Sequence, residues 1–236
     1  MKIVSANWKM NGSLENTKKY FEYLSSRKID QDKKLIFCIP YVFLQDAVYL
    51  TKDIPNIEIF SQNVHHEDSG SFTGEISASM LKSINVKGSL VGHSERRKIE
   101  SSPVINKKIK SLLKYNLKSI LCIGESKNED PKKVIVNQIS EALKDIESLD
   151  DIIFAYEPIW SIGSDSAANI SYINDISNLI FDYCYKKYND SPKILYGGSV
   201  NEKNFDEIIS QKNLAGVLVG RFSLDIDKFS SFITVE

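Results

Sequence analysis

The chain has 236 residues, 42% hydrophobic and 10% aromatic, enough apolar material for a substantial core and too much for a disordered or fibrous polymer. Thirty Lys and Arg stand against thirty-one Asp and Glu, a net charge of −1, which removes any bulk attraction for nucleic acid or an anionic membrane. An anionic ligand must therefore be held by local groups. Cys38, Cys122 and Cys184 suit neither a disulfide framework nor a metal frame and predict a reducing cytoplasm. The apolar start is too short for a signal peptide. The longest apolar run, 35–44, contains Pro40 and is about half the length of a membrane-spanning helix.

Short β-rich runs recur along the chain: Ile3–Ala6, Leu35–Ile39, Ile57–Phe60, Ser89–Val91, Ser119–Ile123, Ile152–Tyr156, Ile194–Tyr196 and Val217–Val219. Most are apolar without alternation, as parallel strands covered on both faces are. Helical stripes lie between them. Val104, Ile105, Ile109, Leu112 and Leu113 form one, and Ile135, Ile139, Ala142, Leu143 and Ile146 a second. A third runs from Tyr172 to Cys184, with Ser171 as its expected N-cap. Alternating strand and helix predicts a parallel α/β fold, either an open doubly wound sheet or a closed barrel. Eight strands favour a (β/α)8 barrel. No linker, composition shift or Gly-x-Gly-x-x-Gly divides the chain, so residues 1–236 read as a single domain.

In such a barrel the chemistry sits at the carboxyl ends of the strands. There the sequence places Asn7-Trp8-Lys9, Gly92-His93-Ser94-Glu95, Tyr156-Glu157-Pro158, Gly197-Gly198-Ser199 and Gly220-Arg221. Asn7 and Lys9, two apart on an extended strand, project to one side. A lone strand-end Lys is ordinarily solvated, whereas one beside Asn7 and Trp8 suits a pocket for an anion. His93 reads either as a satisfied core histidine or, beside a helix N-terminus at Ser94–Arg97, as a neutral imidazole able to donate a hydrogen bond. Glu157, fixed by Pro158 and flanked by Ile159, Trp160 and Ile162, is a candidate base, with a structural ion pair as the bland alternative. The glycine pairs after the seventh and eighth strands suggest a phosphate site of backbone N–H groups, though tight turns use the same residues. His65-His66-Glu67-Asp68 raises a metal site, but consecutive histidines diverge on a strand and no metal-ligand spacing is present. Trp8 and Trp160 read as packing residues.

These segments resemble one family. Asn7-Trp8-Lys9-Met10-Asn11-Gly12, Phe72-Thr73-Gly74-Glu75, Gly92-His93-Ser94-Glu95-Arg96-Arg97, Cys122-Ile123-Gly124-Glu125, Ala155-Tyr156-Glu157-Pro158-Ile159-Trp160 and Tyr196-Gly197-Gly198-Ser199-Val200 occur in the order found in the triosephosphate isomerases. The resemblance implies a TIM barrel that interconverts dihydroxyacetone phosphate and D-glyceraldehyde 3-phosphate in glycolysis and gluconeogenesis, without metal or cofactor. It implies Glu157 as base, His93 as electrophile and Lys9 as electrostatic stabiliser, with Asn7 and Glu95 as supports. Gly163, Ser199, Gly220 and Arg221 would bind phosphate, and Pro158–Gly163 would form a lid. The loop around Phe72-Thr73 would dock one subunit of a homodimer into the other.

Two departures stand out. The lid continues into Ser164-Asp165-Ser166-Ala167-Ala168, where the family often has Gly-Lys-Thr-Ala, which leaves the hinge's motion open. Gly220-Arg221 replaces a usual glycine pair; a left-handed backbone at Arg221 would cost on the order of 1 kcal/mol. The Arg221 side chain is expected to point away from the phosphate while its amide stays in place. The rivals are another phosphosugar-binding barrel, such as an aldolase or an indole-forming synthase, and a barrel that binds phosphosugars without turnover.

Overall fold

The structure is a computed structural model and describes residues 1–163 and 167–235. Ser164, Asp165 and Ser166, the core of the expected hinge, lie outside the described residues. Eight parallel strands close into a barrel in chain order: β1 Lys2–Asn7, β2 Lys33–Ile39, β3 Ile57–Ser61, β4 Gly88–Val91, β5 Lys118–Ile123, β6 Ile152–Tyr156, β7 Lys193–Tyr196 and β8 Gly216–Val219. Strand β8 returns to β1 with Ile3 opposite Gly216 and Ala6 opposite Val219. A Cβ at Gly216 would lie 1.7 Å from the Ile3 carbonyl oxygen, so glycine is needed where the barrel closes.

Each strand buries both faces, which is why the sequence shows no alternation there. Ile3, Ile36, Cys38, Phe60, Leu90, Ile120, Cys122, Ile153, Leu195 and Leu218 fill the barrel interior. Their neighbours, such as Val4, Leu35, Phe37, Leu121, Phe154 and Val217, face the surrounding helices. Those helices include α1 Leu14–Ser25, α2 Leu44–Thr51, α3 Ala78–Ser83, α4 Ser94–Arg97, α5 Ser102–Lys114, α6 Pro131–Ala142, α7 Ile170–Tyr188, α8 Phe205–Ile209 and α9 Ile226–Ser230. Ser13, Ser77 and Asp130 cap α1, α3 and α6 by accepting backbone N–H groups. No described helix is long and apolar enough to cross a membrane.

Three local expectations change. Asn169, not Ser171, caps α7, accepting the Tyr172 N–H at 2.8 Å; both residue types cap well, and the helix begins two residues earlier. Helix α6 stops at Ala142, and Leu143 and Ile146 lie beyond it; Asp145 nearby adopts φ +58°. The rings of His65 and His66 do not diverge but pack 4.4 Å apart at a tilt of 30°, with Phe72 4.4 Å from His65, because the chain there makes only an isolated bridge from His65 to Ser77 and no continuous strand. Among the described residues no three His, Cys, Asp or Glu side chains are grouped as for a metal ion.

Candidate active site

Strand β1 ends at Asn7, and the chain turns at once: Lys9 has φ +53°. The extended-strand reason for pairing Asn7 with Lys9 therefore fails, although the pairing stands. The Asn7 side-chain oxygen accepts the Lys9 N–H at 3.0 Å, and Gln62 Nε2 donates to the Lys9 carbonyl at 2.8 Å. A left-handed lysine is costly, and these bonds hold it there. They aim the ammonium at Glu95, whose Oε1 is 2.6 Å from Lys9 Nζ.

His93 follows β4 and caps α4, with Nδ1 accepting the Glu95 N–H at 3.3 Å. Its Nε2 lies 3.4 Å from Glu157 Oε1. Burial disfavours the charged ring, but the facing Glu157 carboxylate and Glu95 outweigh it and raise the His93 pKa. The backbone N–H pointed at Nδ1 opposes that charge, because a proton on Nδ1 would face another proton. Together these contacts select the tautomer that carries its proton on Nε2, directed at Glu157. Glu95, between His93 and Lys9, is burdened by burial, yet its hydrogen bond to the Lys9 ammonium, aided by His93, holds its carboxyl below the usual range.

Glu157 follows β6 and is 4% exposed. Its backbone N–H donates to the Ile123 carbonyl at 2.8 Å, which continues the β5–β6 ladder. Ile159 and Trp160 are themselves partly exposed. Glycines contribute to its burial by letting neighbouring chain approach. A Cβ at Gly124 would fall 1.8 Å from the Glu157 carbonyl oxygen, and one at Gly197 2.7 Å from its Cγ. Glu157 Oε2 is buried without a hydrogen-bond partner, an uncommon state for a carboxylate oxygen.

Asn7, Lys9, His93, Glu157, Gly163, Ser199, Gly220 and Arg221 all line one cavity of about 720 Å³. Glu95 stands behind Lys9 and His93, outside that lining. Gly163 has φ +73°, a conformation glycine adopts freely. Arg221 is not among the described residues with positive φ, so the strain considered for it does not arise. It opens a 3₁₀ turn, Arg221–Leu224.

Glu125, just past β5, is a site-building residue for which sequence reasoning supplied no role. It is 1% exposed, and its Oε1 accepts from Tyr156 OH at 3.2 Å, Trp160 Nε1 at 3.0 Å and Tyr172 OH at 2.9 Å. Trp160 is thus a hydrogen-bonded tether as well as a packing residue, whereas Trp8 is buried and packs on Tyr20 and Phe21. On the other side of the expected hinge, the Ala168 N–H donates to Tyr196 OH at 3.0 Å.

Residues 2–236 match the family model for triosephosphate isomerase. The triosephosphate isomerase of Alkaliphilus metalliredigens is 38% identical over 243 aligned positions, covering 98% of each chain. That of Mycoplasma mobile is 38% identical over 242 positions, again with 98% of each chain covered. That of Wigglesworthia glossinidia brevipalpis is 42% identical over 240 positions, covering 96% of this chain and 93% of its own.

Proposed function

The chain belongs to the triosephosphate isomerase family and interconverts dihydroxyacetone phosphate and D-glyceraldehyde 3-phosphate, and we propose that Glu157, His93 and Lys9 carry the reaction. The observation that supports this most is the meeting of a carboxylate, an imidazole and an ammonium on one cavity wall, with the first two 3.4 Å apart. Glu157 takes the proton from the carbon beside the ketone carbonyl. The electrons of that C–H bond form the carbon–carbon double bond of an enediolate, and the oxygen gains the negative charge. His93 donates from Nε2 to that oxygen, and Lys9 stabilises its charge from the side. The former ketone oxygen takes up a proton while the neighbouring hydroxyl gives one up, a shift relayed at His93 Nε2, and Glu157 returns the carbon proton to the carbon that bore the ketone, so the aldehyde forms with no oxidant.

Preorganised charge of this kind supplies much of a barrier reduction, and the positioned base about 10²–10⁴-fold. Glu95 and Asn7 act through Lys9, the former by its ion pair and the latter by fixing the turn. The backbone N–H groups of Gly163, Ser199, Gly220 and Arg221 cradle the phosphate, since small residues and turn amides admit an anion close to the main chain. Pro158–Gly163 closes over the site and keeps water from the enediolate, which would otherwise lose phosphate. Glu157→Gln is expected to lower turnover by about 10²-fold or more; near-native turnover would overturn the assignment of the base.

The working unit is a homodimer in the cytoplasm. Met10, Val42, Phe72 and Ile99 are exposed apolar side chains on the segments that follow β1, β2, β3 and β4, which are neighbours in the barrel. Exposed apolar residues gathered on one part of a rim suit a protein–protein contact. A monomeric sedimentation profile at micromolar protein would contradict this.

A further inference from the structure

We propose that Arg221 forms a second anion subsite in the same cavity, which takes the outer phosphoryl group of a diphosphate whose inner group rests on the amides of Gly163, Ser199 and Gly220. The proposal rests on the reading of those amides as the phosphate cradle. A cavity of about 720 Å³ is of the size that holds drug-sized ligands, and a three-carbon phosphate leaves much of it unfilled. Beyond Gly220 the wall continues through Arg221, Phe222, Leu224, Asp225 and Lys228, and this stretch is firmly built. The Phe222 ring packs against Phe229 and Phe232. Ser223 Oγ donates to the Gly220 carbonyl at 2.8 Å, and Tyr20 OH to the Ser223 carbonyl at 2.8 Å.

On this fixed turn Arg221 is exposed, and among the described residues its guanidinium has neither a hydrogen bond nor an ion pair. The other cations of the wall are engaged: Lys9 with Glu95 at 2.6 Å, and Lys228 with Asp225 at 3.7 Å. Arg221 therefore brings a planar fork of five N–H donors, a shape matched to two oxygens of one phosphoryl group. Its place directly after Gly220 sets that fork one side-chain length from the cradle, which suits adjacent phosphoryl groups sharing an oxygen. The side chain can thus point away from the first phosphate and still contact the second.

Competitive inhibition against dihydroxyacetone phosphate tests the subsite, with orthophosphate and pyrophosphate as probes in buffer free of divalent cations. The wild-type protein, Arg221→Ala and Arg221→Lys are compared by the ratio of the two inhibition constants, because damage to the shared cradle affects both anions and cancels. The wild type is expected to bind pyrophosphate about tenfold more tightly than orthophosphate. Arg221→Ala should reduce that advantage to about twofold, with Arg221→Lys between them because it keeps the charge and loses the fork. An advantage unchanged in Arg221→Ala, with both anions still competitive, overturns the subsite alone. Failure of both anions to compete with substrate overturns the cradle and the subsite with it.

Discussion

Replacing Tyr172 by Phe removes one of three tethers from Glu125, together with the contact between the Tyr172 and Tyr156 hydroxyls. Trp160 precedes the hinge and Tyr172 lies in the first turn of α7 beyond it, so the buried carboxylate just past β5 ties the proposed lid to the helix that follows the hinge. The variant leaves Glu125 two donors, Tyr156 OH and Trp160 Nε1, so no buried charge is stranded. The loss is one hydrogen bond from a partly exposed ring, about 1 kcal/mol, or about fivefold in the balance between held and released lid. Water then reaches the enediolate more often, and phosphate released per isomerisation should rise about fivefold. The assay couples product formation to one reporter and inorganic phosphate to another in the same turnover. Melting should fall by only about 2–4 °C. A lowered melting temperature with an unchanged ratio of phosphate release to isomerisation would refute the tether.

At the opposite end of the barrel, Lys34 and Lys118 lie 2.8 and 2.6 Å from Glu58 Oε1. Burial resists the charge on Glu58, but the two ammonium groups outweigh it and lower its pKa. A lowered carboxyl stabilises the fold above the unfolded value, about 4.3, and that contribution is lost as pH falls through the folded value. Glu58→Gln should therefore destabilise by about 1–3 kcal/mol at pH 7, with the gap to wild type closing below pH about 4; a gap independent of pH in denaturant titrations would contradict this. Gly197→Ala places a methyl 2.7 Å from Glu157 Cγ and 3.2 Å from Oε1. It should lower kcat at least about tenfold with little change in melting, and an unaltered kcat would show that this wall does not set the base.

The barrel was legible because β strands covered on both faces leave a mark that survives without alternation, and because Asn7, His93, Glu157 and the glycine pairs fall just past such runs. Asn7 and Lys9 share the cavity through a left-handed turn held by side-chain bonds, which periodicity cannot encode. Glu125 was within reach, since it follows β5 as Glu157 follows β6, and the rule that polar residues past a strand matter applies equally to both. What the sequence could not disclose is that Tyr156, Trp160 and Tyr172 converge on one oxygen of it, since this depends on neighbours brought together only by closure. Nor could the Arg221 backbone be read from its side-chain type; the unstrained turn there is set by the packing of Phe222 and the buried Ser223.

A double-mutant cycle on Glu157→Gln and His93→Gln, followed as turnover of dihydroxyacetone phosphate, tests whether base and imidazole serve one ketone as a unit. Each single change should cost at least about 10²-fold in kcat, and the double variant should be little slower than the worse single, because groups that act together are lost together. Losses that multiply, or near-native turnover in either single variant, would show that the two side chains do not work on the same reacting atoms.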